Sequence, residues 1–385
     1  MTQRCRWPAW TAIIVTALIA GVTGRAAPAP VTPGESPLAV VPAHAPIVVH
    51  LRGVNRTKDR IATLVKNALP DIGPFAAAQL DQALANALEG RKLQGVDPAG
   101  PVFAAFLEMP KGESELSLAL IVRVTKYADF RDGLLTDDER KSLKPDNAGY
   151  ERAEIMGREY FFVDRGAYAV LTPNKDAAAQ LTKKQPGLDG KLSAEIGRKF
   201  LDADLSAYVN LAAVNKEFGD QIRGARQFME LAIEAMPAGG TDKQSVEMAK
   251  TMFGSAFQVI DDGRAFVIAF DFRPEGLALH LQAQVGPETK TNKFLKDQKP
   301  ATLDALGTLP GGMTSYTAST LGEAMMKALA PFMYGAAAND EGRKAMDAAV
   351  DQFLASGQRL TMSATNVPPS GINVATCADP AKAAE

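Results

Sequence analysis

The sequence predicts an α+β protein: repeated strand–helix–helix–hairpin units whose strands form an extended mixed or antiparallel sheet with helices packed on one face. Three observations predict it. One pattern recurs at nearly constant spacing: Val49–Arg56 (VHLRGVNR) returns as Val209–Lys216 (VNLAAVNK), Phe106–Gly112 as Phe270–Gly276, and Lys126–Phe130 as Lys290–Phe294, at offsets of 160, 164 and 164. Each β-branched run leads into apolar residues at helical spacing. Paired apolar runs then flank a P-x-G step, in which proline presets φ and glycine supplies positive φ for a hairpin turn.

The chain begins with a targeting pattern. Arg4 and Arg6 form a positive start, Ala9–Val22 is apolar, and Gly24-Arg25-Ala26 offers small residues for cleavage. That apolar run is shorter than the about 20 residues a spanning helix needs. We therefore expect a signal peptide over 1–26, a Pro-rich linker over 27–40, and an exported mature protein in the periplasm or cell envelope without a membrane span.

The first unit, 41–190, opens with the strand IVVHL and a helix carrying Ile61, Leu64, Val65, Ala68 and Leu69 on one face, followed by a second helix over about 75–88 and the strands VFAAFLE and LSLALIVRV. An insert follows. Tyr150–Thr172 has three β-like runs broken at Gly157 and at Arg165-Gly166, then NKDAAAQLTKK as a helix, which reads as a small meander on the sheet. In the second unit, 191–305, Val214, Phe218, Ile222, Ala225, Met229, Ala232 and Met236 form one long stripe, and a second helix covers Asp242–Phe257. Its hairpin ends in strict alternation at Leu277, Leu279, Leu281, Ala283 and Val285, so one face of this strand meets the core and the other faces solvent or a groove. A third, truncated unit, 306–385, repeats the order in TSYTAST, a helix over Asp340–Ala355 and the step Asn366–Gly371. Thr136-x-x-Glu139, Thr241-x-x-Gln244 and Thr320-x-x-Glu323 fit capping boxes, so the acidic triplet at 137–139 reads as a helix start and not as a calcium ligand set.

Composition bounds the function. The 385 residues are 46% hydrophobic and 22% charged, ordinary for a folding chain. Without Arg4, Arg6 and Arg25 the balance is 39 basic to 44 acidic residues, a formal charge of −5, which argues against nucleic acid as partner. Cys377 would then be the remaining cysteine, so no disulfide framework holds the fold. No G-x-G-x-x-G, Walker, H-E-x-x-H, G-x-S-x-G or S-x-x-K pattern occurs. His50 and His280 sit in predicted strands without converging partners, and Asp261–Arg264 (DDGR) reads as a turn with too few ligands for a cation. We expect no catalytic residues, no metal and no cofactor.

The most basic stretch is Val48–Ile61, with His50, Arg52, Arg56, Lys58 and Arg60. A strand to Leu51, a crossing over Arg52–Asn55 and a helix from Arg56 capped by Asn55 or Thr57 would bring Arg52, Asn55 and Arg56 to a helix start that could hold an anion. The repeat puts Ala212, Val214 and Lys216 at the places of Arg52, Val54 and Arg56. That substitution favours a structural cap and a solvated face.

Pro42–Leu51, of the form P-A-x-A-P-I-V-V-x-L, and Asp164–Lys184 (DRGAYAVLTPNKDAAAQLTKK) resemble an uncharacterised family of exported bacterial proteins, with a likeness of hydrophobic pattern over Val40–Val285. The resemblance implies an envelope-located α+β protein and transfers no catalytic residue. The function expected is a non-enzymatic binding or scaffold module whose partner is an envelope protein or a small ligand. The alternative is a carrier for a small or lipid-like ligand held between helices and sheet. A deep apolar pocket would favour the carrier, and a flat exposed patch the binding module.

Overall fold

The computed structural model describes residues 36–68, 70–71, 78, 82, 91–109, 117–234, 243–296, 304–319, 340–356, 360–366 and 370–376. The expected signal segment, most of the expected helix over 75–88, Cys377, and the expected capping boxes at Thr241 and Thr320 lie outside the described residues. The chain forms two compact units, one of Met1–Gly219 with Gly263–Gln284 and one of Asp220–Asp262 with Val285–Glu385.

The first unit is built on a ten-stranded sheet. Its strands are β1 (Ile47–Leu51), β2 (Val102–Phe106), β3 (Leu118–Arg123), β4 (Lys144–Pro145), β5 (Glu151–Ile155), β6 (Arg158–Asp164), β7 (Tyr168–Thr172), β8 (Leu205–Asn210), β9 (Gly263–Arg273) and β10 (Gly276–Val285). They lie in the order β10-β9-β8-β1-β2-β3-β7-β6-β5-β4. The registers from β9 to β4 are antiparallel, and β9 turns into β10 through Pro274-Glu275.

The sheet is symmetric about one central strand pair. At the centre, β1 pairs with β8 so that Val48 lies opposite Tyr208. Those two residues are 160 apart, the same offset that relates Val49 to Val209. The local two-fold of this antiparallel pair therefore relates β1 to β8 at that same offset, with β2-β3 flanking one side and β9-β10 the other. Registers refine the match: Val49 pairs with Ala104 and Val209 with Phe266, an offset of 162 where the sequence match of Phe106 with Phe270 gives 164. The two-residue slip keeps every side chain on its face, because strand periodicity is two.

Helices α1 (Val54–Ala68), α2 (Tyr127–Leu134), α3 (Asp137–Arg140), α4 (Lys175–Leu181) and α5 (Ala194–Asp202) lie in this unit. One sheet face gathers Val48, Phe103, Ile121, Val163, Val170, Tyr208 and Val267 beneath Leu181 of α4, Ile196 and Phe200 of α5, and Leu38 and Leu188 from short 3-10 turns. The other face gathers Leu51, Val102, Leu120, Val122, Phe162 and Leu171 with Phe130 and Leu134 of α2 and Val54 of α1. The α+β class and the extended antiparallel sheet are as the sequence predicts, but helices cover both faces here. The reason is in the strands: all five residues of β7 and five of the six in β3 are buried, and such continuous apolar runs need cover on both sides. The meander also forms as read, with β5 and β6 joined through Met156 and Gly157, both at positive φ as a tight hairpin turn requires. Thr136 and Glu139 complete the expected capping box.

Two expectations change. α1 starts at Val54, two residues early, with Gly53 accepting from the Thr57 amide at 3.0 Å, so neither Asn55 nor Thr57 is the cap. DDGR is no turn, because α7 (Lys243–Asp262), which follows α6 (Leu211–Glu234), runs to Asp262 and β9 starts at Gly263.

In the second unit α8 (Lys290–Lys296) packs on α7. α9 (Asp340–Ser356) follows β11 (Ser315–Ser319), which forms a separate antiparallel three-stranded sheet with β12 (Leu360–Asn366) and β13 (Ser370–Thr376), over Leu309, Met362 and Ala364. These three strands do not extend the ten-stranded sheet.

The apolar row of β10 faces the opposite way from a core strand. Leu277, Leu279 and Leu281 are 55%, 54% and 59% exposed, while Ala278, His280 and Gln282 on the other face are half-buried. Phe200→Ala, which empties a fully buried site, should lower the unfolding free energy by about 3–5 kcal/mol, whereas Leu279→Ala should change it by less than about 1 kcal/mol. Denaturant titration of both variants checks this; equal losses would mean that the leucine row is packed within the protein.

Candidate functional site

The basic stretch converges on one acid. β1 ends at Leu51, Gly53 passes within van der Waals reach of the Ala99 backbone, and α1 then presents Arg56 and Arg60, one turn apart, toward the start of β8. Asp204 stands there with a fully buried side chain. Its carboxylate accepts from Arg60 Nη1 at 2.9 and 3.1 Å, from Arg56 Nε at 3.3 Å and from the Phe272 amide at 2.8 Å. Its carbonyl accepts from the Arg52 amide at 3.1 Å and from Thr57 Oγ1 at 3.2 Å. A buried carboxylate needs this degree of satisfaction, since its desolvation is otherwise uncompensated.

Beside it lies an open cleft of about 600 Å³ lined by Arg52, Arg60, Lys199, Asp202, Asp271, Arg273 and Glu275. Arg52 donates to the Asp202 carbonyl and pairs with its carboxylate at 3.7 Å. Asp271 accepts from Lys199 Nζ at 3.2 Å and from His280 Nε2 at 3.1 Å, with Arg273 at 3.8 Å. Burial works to raise the Asp271 pKa, but the hydrogen bond and charge of Lys199, with His280 beside it, outweigh burial and hold the carboxyl below its usual value. Each lining cation thus has an acid within the same cluster. Of the three anion candidates, Arg52 and Arg56 join this network, while Asn55 sits half-buried in the first turn of α1 and makes none of these hydrogen bonds. The arrangement cross-links the β1–α1 joint, the α5–β8 joint and the β9–β10 hairpin.

Asp204 and Asp271 carry no local sequence signal. Asp204 meets its arginines across 144 and 148 positions of sequence, and the repeat puts His44 at its counterpart, so only the β1–β8 pairing reveals it.

His50 is a core residue. Its ring lies between Phe103 and Phe200, with centroids 5.1 and 5.2 Å away. Ser206 Oγ gives its proton to the Phe200 carbonyl at 2.7 Å, so His50 Nδ1, 3.1 Å from that oxygen, must be the donor of the pair. Nε2 then carries no proton, and it is buried without a hydrogen-bond partner among the described residues. Burial pushes the imidazole pKa down to about 3, so the ring is neutral. The Ser206–His50 pair resembles a nucleophile and base by residue type alone, because its serine proton points at a carbonyl and both side chains are closed to solvent. His280, the other strand histidine, is the half-exposed partner of Asp271. Among the described residues no group of three or more His, Cys, Asp or Glu is placed to hold a metal ion.

The second surface feature is apolar. On the sheet face opposite Tyr208 and Val267, β8 presents Leu205, Ala207 and Val209, and β9 presents Phe266, Ile268, Phe270 and Phe272, all half-buried. β10 adds the exposed leucine row. Gly276–Val285 contains no charged residue.

No family model and no curated protein matches the chain. Solved structures titled as crystal forms III, IV and I of TP0453 are similar in part, at 11%, 9% and 12% identity and TM-scores of 0.31, 0.32 and 0.32. They cover 69%, 65% and 69% of this chain and 86%, 81% and 84% of their own. Likeness at this level defines neither a shared fold nor a function. Among the described residues no helix is long and apolar enough to cross a membrane.

Arg60→Met leaves the buried Asp204 carboxylate short of its closest cation and should lower stability by about 2–4 kcal/mol, while Arg273→Met, at the solvent edge, should cost under about 1 kcal/mol. Equal effects in denaturant titration would show that Asp204 does not rely on α1.

The folded pKa of His50 lies below its unfolded value, so its contribution is full above pH 6.5 and is lost as pH falls from 6.5 toward about 3. Glu139 behaves otherwise: burial raises its pKa, but Arg91 and the Thr136 and Met156 amides hold it near 2, so its contribution is lost only below about 4.5. Between pH 6.5 and 4.5 the wild-type chain should therefore lose about 2 kcal/mol more than His50→Gln. Parallel stability curves for the two proteins would refute the assignment.

Proposed function

We propose that this chain is an exported, non-enzymatic binding module of the cell envelope that holds a partner protein against the apolar end of its sheet. The observation that carries this reading is the solvent-facing row of Leu277, Leu279 and Leu281 on an uncharged strand, continuous with half-buried aromatic residues of β9. Contiguous exposed apolar surface of this kind marks contact sites more often than it marks chemistry. The described cleft does not favour the carrier: its lining is charged, and each lining cation faces an acid of the same cluster. The positive start and short apolar run of residues 1–26 support export, and the negative balance beyond them disfavours nucleic acid.

A photo-crosslinking residue in place of Leu279 or Leu281, in cells carrying the full chain, should yield protein adducts in the envelope fraction. The same residue at exposed Lys175 of α4 should not. Absence of adducts at both leucines, with the protein folded and exported, would remove the basis for a binding module.

A further inference from the structure

The pseudo-two-fold through Val48 and Tyr208 makes β10 the counterpart of β3. The two strands have different outer edges. β3 is covered there by β7, antiparallel, with Leu120 opposite Leu171 and Val122 opposite Ala169. β10 ends the sheet, and among the described residues no strand pairs with its outer edge. Edge strands are normally protected by charge, proline or a bulge. The ten residues of β10 contain neither charge nor proline.

We infer that two copies of this chain join through β10, antiparallel, about a two-fold axis at Leu279, so that each ten-stranded sheet continues into the other. The inference rests on the binding reading above and names the partner as a second copy. A two-fold between identical antiparallel strands sets one residue opposite itself. With Leu279 in that place, Leu277 of each copy lies opposite Leu281 of the other, and the exposed row becomes three leucine cross-pairs on one face. An axis at His280 instead sets Leu277 against Ala283 and two imidazoles face to face, and leaves two leucine cross-pairs in place of three. Leu279 is the centre of a palindrome, Leu-x-Leu-x-Leu, that only self-pairing uses in full. No like charges meet within Gly276–Val285, and the chain already uses the same geometry internally, where β1 and β8, the first strands of two repeat copies, meet about Val48 and Tyr208. A contact of one strand and one leucine row falls below the roughly 1,200 Å² of a standard interface, so the dimer has a dissociation constant on the order of micromolar.

Sedimentation velocity over a concentration series tests this with the chain from residue 27 onward carrying Cys377→Ser. The expected result is a monomer–dimer equilibrium, weakened roughly tenfold or more by Leu279→Lys, with circular dichroism unchanged. In the same background Leu279→Cys should form an intermolecular disulfide under mild oxidation, because that position faces itself across the axis. Ala278→Cys, which faces residue 280 on the other side of the sheet, should not. A wild-type monomer at every concentration, a dimer insensitive to Leu279→Lys, or equal cross-linking at 278 and 279 would each overturn the inference. A monomeric chain whose Leu279 photo-adduct contains a different protein would overturn the dimer and leave the binding reading standing.

Discussion

The pairing of β1 with β8 is the constraint on which the first unit depends. It joins residues about 160 apart, so the sheet forms only once the early and middle parts of the chain have met. Either part alone would leave one edge of its first strand unpaired and one face of that strand without its neighbour's side chains. Together they place Val48, Tyr208 and the neutral His50 beneath Phe200, and they set β2-β3 and β9-β10 on opposite sides of one seam. The folding cost of closing so long a segment rises only slowly with its length, so the helices and the meander between the two parts are tolerated there.

The charged cluster follows from the same seam. Antiparallel pairing brings the end of β1 beside the start of β8, so the first two turns of α1 lie over the chain that leads from α5 into β8. Asp204 is buried by that meeting, and a buried carboxylate in this place requires cations on the element packed above it. Arg56 and Arg60 supply them at helical spacing, and the Phe272 amide extends the tie to β9. The density of basic residues after β1 is therefore the complement of acids that come much later in the chain. The Lys199–Asp271–His280 group repeats this logic between α5, β9 and β10.

What could be read from the sequence divides along this line. The strands, the meander and the capping box at Thr136 depend on near neighbours and on hydrophobic period, and they are legible in the sequence. The start of α1 was misplaced by two residues because Gly53, and no polar side chain, receives the first helical amide. DDGR looked like a turn by composition, yet Asp262 ends a helix, where its carboxylate accepts from Gln258 and from the Thr291 amide. The helix cover on both faces was hidden because an apolar run states that a strand is buried without stating how many layers bury it. The charged cluster was hidden because its partners lie far apart in sequence. Alternation in β10 showed which residues share a face, but parity alone does not say which face meets the core.

The last point separates folding from function at β10. A slip of one residue would exchange the faces of this strand and turn its leucines inward. Burying a leucine fully is worth about 1.5–3 kcal/mol, so apolar burial within this unit alone would favour the slipped register. Polar contacts hold the observed one: His280 donates to Asp271, the Ser193 amide donates to Gln284 Oε1, and Gln284 Nε2 reaches the Lys191 carbonyl. These contacts tie β10 to the acid that Lys199 and Arg273 also meet, and thereby to α5 and the seam. The leucine row is thus displayed in a register whose other face makes these polar contacts. At the other end of the sheet, β7 covers the equivalent edge of β3 and the same preference is satisfied within the chain. On one side of the seam the strand is paired within the chain, and on the other, among the described residues, β10 leaves its edge unpaired.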